Sequence, residues 1–243
     1  MKITILTLFK EMYGDFLNTS IIKRTIDKGI AEVKLVDIRD YSNDKHRHVD
    51  DTPYGGGAGM LMKVDVVNRA LTANRNNNSH VLLTSPKARP LKQKDLVRLS
   101  KYDDLIIVCG HYEGIDSRIE EYCDEKISIG DFILTGGELA SMVVTDGILR
   151  LLDESISPNS LNEESYDNDL LEYPQYTRPY DYYGKKVPDV LVNGNHKNIK
   201  RFNLKESLRQ TILYRPDLLK NHKFTEEELE LLKELKDELQ GRN

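Results

Sequence analysis

Short apolar runs alternate with longer amphipathic segments through the first 150 residues, and this alternation constrains the fold more than any other feature. Five runs have the length of buried strands: 2–8, 32–38, 80–84, 104–109 and 126–129. Four segments have helical spacing: 19–27, 64–73, 92–100 and 138–149, with Gly29 as a stop after the first. Strands that alternate with helices are typical of βα units. The sequence therefore predicts an α/β fold with a largely parallel sheet.

The chain changes character after this region. Residues 151–177 lose their periodicity and are polar and acidic, which is typical of a linker. Residues 204–214 and 225–239 have helical patterns, whereas 173–203 looks irregular. We expect an α/β domain at 1–153, a flexible acidic linker at 154–172 and a small, mainly helical domain at 173–243.

Several protein classes are excluded by simple counts. The apolar runs are far shorter than the roughly 18 residues that a membrane span needs, and no signal peptide is visible, so we expect a cytoplasmic protein without membrane contact. The two cysteines, Cys109 and Cys123, belong to no CxxC motif, and HExxH is absent. This argues against a disulfide framework and a structural zinc ion, and we predict no protein metal site.

The net charge of -5 hides a basic block. Residues 178–223 carry eleven lysines and arginines against four acidic residues, while 151–177 is purely acidic among its charged residues. Tyr180, Tyr182 and Tyr183 lie at the start of the basic block. Lysine and arginine can neutralise phosphates and tyrosine can stack on bases, so the block is a candidate nucleic-acid surface, with a solvated basic face as the equal alternative.

Three glycine-bearing stretches occur at 50–60, 109–116 and 127–139. None has the GxGxxG or GxxxxGK[ST] spacing of a dinucleotide or P-loop site. Glycine permits positive φ and lets backbone N–H and C=O groups approach a flat ligand closely. Any one stretch is explained by a tight turn, but together they favour a cofactor pocket at one edge of the sheet.

Five separated segments carry a resemblance to a known family: VDDTPYGGGAGM, CGHYEGID, SIGDFILTGGEL, LLEYPQYTRP and VPDVLVNGNHKNI. In order and spacing they resemble the bacterial tRNA (guanine-37 N1)-methyltransferases of the SPOUT trefoil-knot class. The resemblance implies a deep knot in the α/β core and S-adenosylmethionine bound among the knot loops. It further implies methyl transfer to N1 of the guanine next to the anticodon of tRNA, by a homodimer whose active site takes residues from both subunits.

The resemblance also implies which residues contact the cofactor. They are Thr84, Ser85, Pro86, Gly110, Tyr112, Glu113, Ile129, Gly130, Asp131, Phe132, Ile133, Leu134, Gly136 and Gly137. Ala88 stands where the family usually has glycine, which weakens the case for contacts from that loop. No role is assigned to His111.

The proposed chemistry needs two further groups. The N1 proton of guanine has a pKa on the order of 9, so a positioned base must remove it, and the charge that then shifts to O6 needs a cation. The resemblance assigns Arg150 as the cation. For the base it points to Glu164, where the family has aspartate, and a shifted register would give the role to Asp167 or Asp169 instead.

The remaining substrate contacts rest on the resemblance as well. They are Asp50, Ser165, Arg178 and His196, although Asp50 could simply cap a turn. The family is associated with Mg²⁺, which would bind at the base and O6 without a dedicated protein site. Two other functions stay open: methylation of another RNA position, and RNA binding without catalysis, because the base departs from the family pattern.

Overall fold

A computed structural model describes residues 1–153, 155, 166 and 169–240. The chain divides into two compact units, Met1–Pro158 and Asn159–Asn243. The division falls within the stretch 154–172, most of which lies outside the described residues, so the flexible linker stays a prediction.

The first unit contains a five-stranded sheet in which every pairing is parallel. Its strands are β1 (Lys2–Thr7), β2 (Glu32–Asp37), β5 (Ser79–Thr84), β6 (Asp104–Val108) and β7 (Glu125–Ile127), in the order β2-β1-β6-β5-β7. A separate antiparallel pair is formed by β3 (Asp50–Asp51) and β4 (Leu61–Met62). All five predicted strands are confirmed, with bounds that differ by two residues at most.

Helices cover both faces of this sheet. They are α1 (Gly14–Leu17), α2 (Ser20–Asp27), α3 (Val64–Asn74), α4 (Gln93–Leu99) and α5 (Glu138–Leu149), and short 3-10 turns lie at Lys10–Tyr13, Ile38–Tyr41 and Ser117–Tyr122. In β6, Ile106 and Val108 pack into one hydrophobic core and Leu105 and Ile107 into the other. Burial on both faces explains why the strands read as continuous apolar runs. The α/β prediction is confirmed, while the knot stays a prediction.

The second unit is built on two helices, α6 (His196–Tyr214) and α7 (Glu226–Gln240), whose small core contains Leu208, Leu231 and Leu235. A short hairpin of β8 (Asp181–Tyr182) and β9 (Lys185–Lys186) precedes them, and 3-10 turns lie at Asp189–Leu191 and Pro216–Lys220.

The prediction that 173–203 is irregular is wrong at its end, because α6 begins eight residues before position 204. Asn195 caps the helix by accepting a hydrogen bond from the backbone N–H of Asn198. The first turns of α6 are polar, so they lack the apolar spacing on which the prediction relied. Ion pairs to α7, such as Arg201 with Glu234, hold them in place. The start of α7 agrees with its Thr-x-x-Glu pattern, since Glu228 accepts from the N–H of Thr225 at 2.7 Å.

Candidate functional site

A pocket of about 560 Å³ lies where β5, β6 and β7 end. Parallel strands bring their carboxyl ends to one edge of the sheet, and ligands of such sheets bind at that edge. Its wall includes Thr84 to Lys87 after β5, Gly110 to Ile115 after β6, and Ile127 to Gly137, apart from Asp131, after β7. Its volume lies in the range of pockets that hold small ligands and cofactors.

The first glycine stretch packs against the second. Gly59 has φ +86°, and a side chain there would collide with Glu113. The backbone N–H of Glu113 donates to the carbonyl of Met60 at 3.1 Å, and that of Met62 donates to Gly114 at 2.9 Å. The 50–60 stretch therefore braces the pocket wall, and its own glycines do not line the pocket.

The third glycine stretch is pressed onto the ends of β5 and β6. The N–H of Gly137 donates to the carbonyl of Gly110 at 2.7 Å. A Cβ on Gly137 would collide with Oγ1 of Thr84 and lie 3.0 Å from both Cα of Cys109 and N of Gly110. Since two of these neighbours are backbone atoms, position 137 requires glycine.

Thr84 links the end of β5 to the end of β6 beneath the third glycine stretch. Its hydroxyl donates to the carbonyl of Val108 at 3.1 Å and accepts from the N–H of Gly110 at 3.3 Å. Thr84 lines the pocket, but its hydroxyl already donates and accepts a hydrogen bond within the protein. Thr84 can therefore offer a ligand its backbone, its methyl group or the remaining lone pair of its hydroxyl, but no hydroxyl donor.

The segment Phe132–Leu134 forms part of the pocket wall. Within the described part of the chain, none of its three N–H groups has a protein acceptor. Its side chains are also unusually exposed for apolar residues, up to 81% for Ile133. Unpaired donors beside exposed apolar groups are what a flat, mostly apolar ligand or another protein surface would cover.

The structure brings together nearly all of the predicted cofactor residues. Asp131 is the exception, because its side chain is exposed and does not line the pocket, although both of its neighbours, Gly130 and Phe132, do. The roles of the others as cofactor ligands stay predictions.

Sequence reasoning missed a buried polar network beneath the pocket. The carboxylate of Glu138, 2% exposed, accepts from Oγ1 of Thr7 at 2.8 Å. Tyr13 and Ser141 share a hydrogen bond of 2.6 Å, and Ser141 donates to the carbonyl of Glu138. Burial raises the pKa of the neighbouring Cys109 thiol to about 12, so the thiol stays protonated and unreactive at neutral pH.

His111 belongs to the pocket wall, which the sequence did not indicate. Its ring packs 4.8 Å from Phe9 and 5.0 Å from Tyr112. Its Nδ1 is buried and lies 3.8 Å from Oε2 of Glu138, too long for a hydrogen bond, and has no other partner among the described residues. The local sequence around His111 could not indicate its proximity to Glu138, because Glu138 is 27 residues away.

Tyr112 connects the pocket to the predicted substrate residue Asp50. Burial and then the charge of Asp50 raise the pKa of Tyr112, while Arg39 acts in the opposite direction. Asp50 lies in β3 opposite Met62, whose N–H donates to the pocket residue Gly114, so Asp50 is close to the pocket wall. Its contact with a substrate stays a prediction.

Arg150 lies far from the pocket of its own chain. The helix α5 begins beside the pocket at Gly137 and ends after 12 residues, with Arg150 as its C-cap. At 1.5 Å per residue, Arg150 is roughly 18 Å along the axis from the pocket end of this helix.

The candidate bases and the other predicted substrate residues fall elsewhere. Glu164, Ser165 and Asp167 lie outside the described residues. Asp169 is exposed with φ +57°. Arg178 and His196 are exposed in the second unit, where Arg178 precedes a cis proline and His196 begins α6.

The structure reduces the set of basic residues that can meet phosphates. Arg201, Lys205 and Arg209 pair with glutamates of α7, and Arg215 pairs with Asp217. Six lysines of the block form no ion pair within the described ranges: Lys185, Lys186, Lys197, Lys200, Lys220 and Lys223. The positive charge that is available therefore lies on the hairpin, on the first turns of α6 and beside the 3-10 turn at Pro216–Lys220.

No group of three or more His, Cys, Asp or Glu side chains in the described ranges is arranged to hold a metal ion. The expectation that any Mg²⁺ lacks a dedicated protein site stays a prediction. A search of the described helices finds none with the length and apolarity to cross a bilayer.

Comparisons with known proteins give one consistent result. The profile of the family described as tRNA (Guanine-1)-methyltransferase TrmD matches residues 1–221. Three similar proteins bear the name tRNA (guanine-N(1)-)-methyltransferase. They come from Syntrophomonas wolfei, 50% identical over 97% of both chains, Macrococcus caseolyticus, 48% over 97% of this chain and 99% of the relative, and Dictyoglomus turgidum, 47% over 98% of both.

The substitution Gly137→Ala tests the packing of the third glycine stretch. We expect it to lower the free energy of unfolding by about 1–3 kcal/mol, because the new methyl group meets backbone atoms that cannot move independently. Gly14→Ala is the matched control, since its Cβ would meet no atom within 4 Å. Chemical denaturation measures both; equal stability of Gly137→Ala and wild type would contradict the close approach.

Proposed function

This chain belongs to the tRNA (Guanine-1)-methyltransferase TrmD family, and we propose that it transfers the methyl group of S-adenosylmethionine to N1 of guanine 37 in tRNA. The observation that carries the proposal is the pocket at the carboxyl edge of the sheet, around which the family-like glycine segments meet. The substrate places the reaction in the cytoplasm.

The donors, apolar side chains and carboxylate of the pocket residues match the chemical groups of S-adenosylmethionine. The N–H groups of Phe132–Leu134 can donate to the polar edge of an adenine, and Phe132 and Ile133 offer apolar area to its faces. Glu113 supplies a carboxylate for the positively charged end of the molecule. When bound, the sulfonium group supplies an electrophilic methyl.

The remaining chemistry belongs to side chains of the protein. A carboxylate of the segment 154–172, Glu164 in our assignment, takes the N1 proton as the methyl arrives. The guanidinium of Arg150 stabilises the negative charge that develops on O6. The target base must be turned out of its stack to expose N1 to these groups.

Two subunits are needed to build this site. Arg150 is roughly 18 Å along α5 from its own pocket, so we assign it to the pocket of a partner in a homodimer. Leu139 and Val143 lie one turn apart on α5 and are about half exposed. This apolar surface is suited to an interface with a second copy.

The second unit, 173–243, is assigned to tRNA binding. Its free lysines can neutralise phosphates of the anticodon stem-loop, and Arg178 and His196 are exposed in family-like segments. The first unit, at 1–153, is assigned to the cofactor.

Methyl transfer to transcripts that differ only at guanine 37 tests the function. With labelled S-adenosylmethionine, we expect label in the transcript with G37 and none in a transcript with A37, because only guanine carries the N1 proton to be exchanged. Transfer to both would favour methylation at another RNA position, and transfer to neither would favour an RNA-binding protein without catalysis.

The same assay assigns the base. Glu164→Gln should lower kcat on the order of 100-fold or more, because the amide cannot accept the proton. Asp169→Asn is the matched control, and we expect it to keep kcat within a few fold. The reverse result would transfer the role to Asp169.

Mixing two inactive variants tests the shared site. Glu113→Ala removes a carboxylate from the pocket and Arg150→Ala removes the cation, so each alone should be nearly inactive. After dissociation and random reassociation, about a quarter of wild-type activity should return, since half of the dimers are mixed and each has one intact site. Each variant carried alone through the same steps is the control. No recovery in demonstrated mixed dimers would mean that Arg150 acts at the pocket of its own chain. Full activity of Arg150→Ala alone would mean that Arg150 has no functional role.

A further inference from the structure

The hairpin of β8 and β9 exposes two aromatic rings. Tyr183 is 89% exposed and Tyr182 62%, and their rings meet edge to face at 4.7 Å between centroids. Tyr182 ends β8, and Tyr183 lies in the two-residue turn, where it has φ +53° and Gly184 has φ +82°. Such large apolar groups at the tip of a hairpin are unusual unless they contact a partner.

The turn is held in a strained form by its surroundings. Positive φ at both central residues defines a type I′ turn, whose first position favours asparagine and disfavours a bulky side chain. The N–H of Gly184 donates to Oδ1 of Asp181 at 2.7 Å, and the N–H of Val187 donates to the carbonyl of Tyr180 at 2.9 Å. The tyrosine at position 183 therefore brings no benefit to the turn itself.

Charge identifies the partner. Lys185 and Lys186 follow the turn, both are exposed, and neither pairs with an acidic side chain in the part of the chain that the structure describes. Tyr180, by contrast, donates its hydroxyl to Asp189 at 2.7 Å and is an anchor of the hairpin. Two exposed rings beside two free ammonium groups match an unpaired base and its flanking phosphates.

We propose that Tyr183, braced by Tyr182, stacks on an unpaired base of the tRNA while Lys185 and Lys186 contact the adjacent phosphates. The proposal rests on the proposed function, because it takes tRNA as the substrate. The hairpin then acts as a positioning element for the RNA and has no part in the chemical step.

The variant Tyr183→Asn tests the proposal without weakening the turn. Asparagine followed by glycine is the preferred type I′ sequence, so the hairpin should be retained or improved while the ring is lost. We expect tRNA affinity to fall about 5- to 100-fold, with a matching rise in KM for tRNA and little change in kcat or in KM for S-adenosylmethionine. Tyr183→Phe should bind within about twofold of wild type, because it keeps the ring.

Controls separate this proposal from the proposed function. Tyr122→Asn is the control. Tyr122 is an exposed tyrosine of the first unit, 43% exposed, and it follows two glutamates, so its loss should leave tRNA affinity unchanged. Ultraviolet irradiation of the wild-type complex should link RNA to the peptide that contains Tyr183. If wild type methylates tRNA and Tyr183→Asn binds it equally well, the stacking role is wrong; if wild type neither binds nor methylates tRNA, the proposed function itself fails.

Discussion

The close approach of Gly137 to the ends of β5 and β6 is the contact on which the site depends. It sets the 127–137 segment against Gly110 through one backbone hydrogen bond and leaves no room for a side chain. This segment is fixed at Gly137, where α5 starts beside the pocket, and Phe132–Leu134 lie in the pocket wall. A bulkier residue at 137 would disturb the pocket and the helix together.

The helix α5 links this constraint to the proposed need for two subunits. Its first residue, Glu138, is anchored beneath the pocket by Thr7, and its far end carries Arg150. The 12 residues of α5 separate its two ends by roughly 18 Å, and this separation is why Arg150 is assigned to the pocket of a partner in the proposed dimer. The apolar residues exposed along the same helix then favour a second copy of the chain as the source of the guanidinium in the proposed mechanism.

Periodicity predicted the strands and most helices because those elements depend on local burial. The start of α6 was missed since its polar turns depend on ion pairs with α7, which are distant in sequence. The pocket could be located from glycine segments, but the buried partners of Glu138 and the wall position of His111 depend on chain segments that meet only in the folded protein. For the same reason, the sequence could not show which basic residues of 178–223 form ion pairs and which lysines stay available to phosphates.

Hydrogen–deuterium exchange at the pocket tests the central claim most directly. The backbone N–H groups of Phe132–Leu134 have no acceptor among the described residues, so they should exchange rapidly in the free protein. Saturating S-adenosylmethionine should slow their exchange and leave the hairpin at 181–186 unchanged. Unaltered exchange across 127–137 at saturation would contradict the assignment of this pocket to the cofactor.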